Sequence, residues 1–148
     1  MHAAKNARTA VPEVEIFPWI HDARLLAHED LINFIKSIRR NSKVAIEISE
    51  RNLATFQSIL NGTNSRYFQT KSDFITLLEI VAECQKRNLR IIPLETSAEY
   101  EKNFSDEKRE IATARRVQME LRKHQSLPLP VIAGLFHANA LLSELEQL

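Results

Sequence analysis

Four ionisable residues stand at or near the ends of apolar runs in this chain: His21 after Val14-Glu-Ile-Phe-Pro-Trp-Ile, Glu47 within Lys43-Val-Ala-Ile-Glu-Ile-Ser49, Glu95 after Arg90-Ile-Ile-Pro-Leu, and His137 after Pro130-Val-Ile-Ala-Gly-Leu-Phe. Two imidazoles with one or two carboxylates form a nitrogen and oxygen donor set suited to a divalent transition metal such as zinc, manganese or cobalt, with a position left open for water. Water on such a metal ionises near neutral pH, and a second carboxylate could act as general base. Glu47 carries the strongest signal, because a carboxylate inside a Val-Ala-Ile-Glu-Ile run is costly to bury unless it is paired or ligating. Its structural alternative is a buried ion pair. His21 could equally cap a helix or pack at a strand–helix junction, and Glu95 could simply be solvated at a strand end.

The run ending on His137 also contains Gly134, one of only two glycines among 148 residues. A glycine inside a strand has no side chain to pack and is tolerated where something must approach the backbone. The structural alternative is a core strand with a glycine bulge and a histidine opening the next helix. His2, His28 and His124 fall in an N-terminal arm or in helical patterns and read as ordinary. Arg51, four residues after Glu47, could bind a substrate carboxylate or phosphate through its planar fork. Arg109 could reach inward to pair with Glu47 or Glu95, although a solvated helix face is the default for such charges.

Alternating elements must position these residues. Residues 1–12 read as a mobile polar arm and 13–148 as a single domain. The first strand, whose Pro18 suggests an edge or the strand's end, is followed by a helical pattern from Ala23 to Arg40 with Leu25, Leu31, Ile32, Ile35 and Ile38 near one face. The strand around Glu47 leads into a helix from Glu50 to Leu60, with Ser49 as N-cap and Asn61-Gly62 as its stop. A second helix carries Phe74, Leu77, Leu78, Val81 and Cys84 or Gln85 at helical spacing, and Asn88 can close it. After Arg90–Glu95, a helical region from Ala98 to His124, broken near Asn103–Asp106, places Ile111, Ala114, Val117 or Gln118, and Leu121 on one face. The strand from Pro130 precedes a closing helix with Leu141, Leu142, Leu145 and Leu148 inward. This order predicts an α/β fold: a mainly parallel four-stranded sheet with helices on both faces in three α/β/α layers. Ligands of such sheets bind in the crevice at the strands' C-terminal edge, where all four ionisable residues would then gather. No internal repeat is apparent.

Composition narrows the function classes. Twenty basic and 19 acidic residues give a formal charge of +1, which supplies no general attraction to nucleic acid or anionic membrane. Cys84 is the only cysteine, so it has no disulfide partner and reads as a small buried hydrophobe. No window reaches the roughly 18 consecutive apolar residues of a membrane span, and the first ten residues lack the apolar core of a secretory signal. A cytoplasmic protein is expected.

The order of motifs resembles the TraB/Tiki group and its erythromycin-esterase-like and ChaN-like haem-uptake relatives. That superfamily shows a GxxH near the N-terminus, a Val-x-x-Glu strand followed by an arginine, an Arg-Asp/Asn-type motif on a later helix and a second GxxH at a late strand end. Here these correspond to Pro18-Trp-Ile-His21, Val44-Ala-Ile-Glu47 with Arg51, Arg109-Glu110, and Gly134-Leu-Phe-His137. Proline replaces glycine in the first motif and Glu110 replaces Asp or Asn in the third. The resemblance implies a metal-dependent hydrolase of a peptide or ester bond, or a relative that keeps the pocket without turnover. In it His21, Glu47 and His137 would be metal ligands, Glu47 and His137 catalytic, and Arg51 and Arg109 substrate anchors.

Two other classes fit the same residues. A binding module could hold haem through a histidine or tyrosine, or a small anion at helix N-termini on the same edge. A structural protein without a small-molecule site could instead associate as a homodimer through a sheet edge or helix.

Overall fold

The strands form where β-branched and aromatic residues cluster, and together they supply core residues to both faces of the sheet. The computed structural model describes residues 14–19, 25–62, 72–95, 106–123, 128–134, 140–141 and 143–146. Strands β1 (Val14–Trp19), β2 (Lys43–Ser49), β3 (Arg90–Glu95) and β4 (Leu129–Gly134) make one sheet in the order β1-β4-β2-β3, and all its pairings are parallel. Helices α1 (Leu25–Ser37), α2 (Glu50–Leu60), α3 (Ser72–Lys86) and α4 (Asp106–Lys123) connect the strands, and residues 140–141 and 143–146 are also helical.

Alternation along the strands divides the core in two. Phe17, Val44, Ile46, Ile48 and Ile132 join Leu31, Phe34 and Ile35 of α1, Leu53 and Phe56 of α2, and Ile80, Val81 and Cys84 of α3. The opposite side of the sheet gathers Val14, Ile16, Ala45, Leu94, Val131 and Ala133 against Ala114 and Val117 of α4 and against Leu141 and Leu145. The result is the expected three-layer α/β/α arrangement. Phe17 and Phe34 meet at 5.1 Å between ring centroids, tying β1 to α1; truncating a buried phenylalanine to alanine costs roughly 3–5 kcal/mol.

The connections share one hand. From β1 to β2 and on to β3 the chain moves one way along the sheet with α1, α2 and α3 on one face. It then reverses through α4 on the other face to reach β4, and reversing both direction and face preserves the handedness that a right-twisted strand imposes. Consequently β2 leaves toward one face while its neighbour β3 leaves toward the other, which opens a crevice between their C-terminal ends.

Local punctuation agrees with the sequence at several points. Ser49 caps α2 by accepting a hydrogen bond at Oγ from the Asn52 N–H, 3.1 Å away. Gly62 follows that helix at φ +75°, a conformation that disfavours any residue with a Cβ. Differences arise at α1, which runs from Leu25 to Ser37 rather than reaching Arg40, and at β4, which begins one residue earlier, at Leu129. A short correspondence absent from the sequence reading also appears: Arg40-Asn41 precedes β2 as Arg87-Asn88 precedes β3. Both asparagines have positive φ, 63° and 54°, and their side chains, 47 residues apart in sequence, share a 2.7 Å hydrogen bond. The following residues pair in the same order, Lys43 with Arg90, Val44 with Ile91 and Ala45 with Ile92.

Candidate functional site

Glu47 faces the α4 side of the sheet by strand alternation, since Val44, Ile46 and Ile48 turn to the opposite core, and it sits at an irregularity in β2. Ile46 pairs with Pro93, but Ser49 pairs with Glu95, so β2 spends one more residue than β3 over this step. Such a bulge interrupts the ladder, and bulges are over-represented beside active sites. Glu47 is half-buried at this bulge, where it lines a cleft with Glu95 of β3 and with Arg109, Glu110 and Thr113 of α4. Leu141 closes the cleft, whose free volume is about 10 Å³, near the ~10–15 Å³ threshold for one water.

Within the first turns of α4, Arg109 and Thr113 are one turn apart and face the sheet together. The Arg109 guanidinium donates from Nη2 to Glu95 Oε1 at 2.6 Å, with the two side chains 31% and 14% exposed. Arg116 donates to the carbonyl of Leu94, pinning α4 over the end of β3. The N-terminal end of α4 thus lies over a group of carboxylates, the favourable sense for a helix dipole. Thr113, only 7% exposed, is a buried polar residue on an otherwise apolar helical stripe. It went unrecognised from sequence, although its spacing from Arg109 is a usable signal.

The predicted site residues are therefore only partly assembled within the described region. Glu47, Glu95 and Arg109 meet, and Arg109 takes Glu95 as partner, one of its two expected choices. Arg51 is exposed in the first turn of α2, whose buried residues pack on the other side of the sheet, and it is not among the described residues lining the cleft. His21 and His137 lie outside the described residues. The strands that precede them end side by side, however, with Trp19 paired to Gly134.

Among the described residues, no three His, Cys, Asp or Glu side chains gather closely enough to hold a metal ion. Glu47, Glu95 and Glu110 alone thus do not form such a group. Cys84 is no candidate nucleophile: it is fully buried, and burial, reinforced by the charge of Glu83, pushes its thiol up to about 12 despite the opposing charge of Arg87.

No family model, curated protein or solved structure matches the chain. Among the described residues, no helix is long and apolar enough to cross a membrane.

Proposed function

We propose that the chain is a minimal hydrolase of TraB/Tiki-like type, acting on a peptide or ester bond at the C-terminal edge of its sheet. The observation that carries this reading is the placement of Glu47 on a bulge at the β2–β3 crevice, within one cleft with Arg109, Glu95 and Thr113. A carboxylate lodged there has the surroundings a general base needs: partial burial, a neighbouring guanidinium and a small adjoining space for water. Arg109 is held by Glu95, which fixes its planar fork in the cleft beside Glu47, where a guanidinium can orient a substrate carbonyl or carboxylate. His21 follows Trp19 by two residues and His137 follows Gly134 by three. Those two residues would hold a divalent metal, with Glu47 either as a further ligand or as the general base beside it. When bound, such an ion would supply Lewis acidity and a water ionisable near neutral pH. Arg51, exposed at the start of α2, fits a peripheral contact with an anionic substrate group.

The test is hydrolysis of generic peptide and ester substrates by untagged protein, alongside elemental analysis. About one transition metal per chain is expected, with turnover abolished by chelator. Glu47→Gln should keep the fold, as judged by circular dichroism, and lower kcat by about 10²–10⁴-fold, the usual reach of general acid–base catalysis. Full turnover in Glu47→Gln would remove this residue from the mechanism. Metal-free, inactive wild-type protein would overturn the hydrolase reading.

A further inference from the structure

A spacious cleft on the α1 side of the sheet lies at the end opposite Glu47, where β1, β4 and β2 begin. Its volume is about 440 Å³, within the range of small-molecule sites. Phe34 of α1, Ile38 just beyond that helix and Pro130 of β4 give it an apolar floor. Glu15 and Arg39 supply opposite charges, and Lys43 paired with Glu120 forms the far wall.

The two opposite charges lack work elsewhere. Glu15, half-buried on β1 beside Pro130 in the strand register, makes no ion pair or hydrogen bond through its side chain among the described residues. The guanidinium of Arg39 is likewise unpartnered among the described residues. Nor is Arg39 needed to terminate α1, because the carbonyls there already have donors. Ser37 Oγ serves Phe34, the Ile38 N–H serves Ile35, Arg87 Nη2 serves Ile38, and Ser42 Oγ serves Arg39. A carboxylate half-removed from water beside apolar side chains favours a cationic partner, and the arginine fork favours a carboxylate. Lys43 does not satisfy Glu15, since its ammonium is committed to Glu120 at 3.5 Å.

We infer that this cleft is a second ligand site, for a small zwitterion with an apolar body, of which a dipeptide of large apolar residues with free termini is the best-fitting class. Its ammonium meets Glu15, its carboxylate meets Arg39, and its side chains cover Phe34, Ile38 and Pro130. The site is independent of the hydrolase reading, being at the other end of the strands.

The experiment is an amide-shift titration of the full chain with phenylalanyl-leucine, its N-acetyl form and its C-terminal amide. The free dipeptide is expected to shift the Ser42, Lys43 and Leu129 amides and to bind each time about fivefold more tightly than either blocked form, the scale of one partly exposed ion pair. Arg39→Ala should erase the preference over the amide while keeping that over the N-acetyl form, and Glu15→Gln should do the converse. Circular dichroism of both variants should match the parent protein. Equal binding of all three compounds would reveal an indiscriminate apolar crevice and overturn the inference, as would no perturbation of these amides by any of them.

Discussion

Glu120 shows how a single carboxylate on this framework couples charge to stability. Burial raises its pKa, but hydrogen bonds and charges from Lys123, at 3.3 Å, and Lys43, at 3.5 Å, outweigh that cost and hold it below the ordinary value of 4.5. A carboxyl whose folded pKa lies below its unfolded one adds stability above the unfolded pKa, and that contribution disappears as pH falls through the folded value. The difference in urea midpoint between wild type and Glu120→Gln is therefore expected to be constant near neutrality and to close as pH falls below about 4.5. A difference that widened on acidification would contradict the assignment. The lysine's role was not legible in sequence, because Lys43 and Glu120 are 77 residues apart and neither sits in a local pattern that names the other. Glu47 was legible for the opposite reason: a charge between isoleucines conflicts with its own strand. Arg109 was readable only as a candidate partner of two acids, and α4 brings it to Glu95 at 2.6 Å in a cleft that Glu47 also lines.

At the scale of elements, the junction between β2 and α2 joins the candidate base to a helix start. Ser49 pairs with Glu95 across the bulge while its hydroxyl caps α2, and its side chain is nearly inaccessible. Replacing it by alanine removes the acceptor for the Asn52 N–H and is expected to cost about 1 kcal/mol in urea unfolding, the usual loss of an N-cap. Ser49→Asp or Ser49→Thr should lose less if capping dominates, whereas equal loss in all three variants would assign the effect to packing. Ser49, Asn61-Gly62 and Asn88 could be recognised from sequence because caps and positive-φ stops are chosen by residues within one turn. The bulge beside Ser49 could not. It exists only relative to β3, and the pairing of Ile46 with Pro93 is a contact between distant segments.

For the whole molecule, strand order is what periodicity could not supply, and it determines the environment of every edge. Alternation gave the layers, since each strand carries apolar residues to both faces, but only the placement of β4 between β1 and β2 shows that β1 and β3 are the outer strands. Both outer strands contain a proline, Pro18 in β1 and Pro93 in β3, and β3 also ends in Arg90 and Glu95. Proline lacks the N–H that a docking strand would use, and charge at an edge discourages pairing with another chain. These features argue against dimerisation through a sheet edge, one of the associations that the sequence left open. The chain should therefore sediment at its 17.1 kDa monomer mass at micromolar concentration. The double replacement Pro18→Val and Pro93→Val should restore two donors and two β-formers to the edges, producing concentration-dependent association and increased thioflavin binding. If wild type already dimerises and the double variant leaves its dissociation constant unchanged, the interface lies on a helical face and the prolines do not guard it. If the variant alone associates, the edges are the surfaces that this sequence protects.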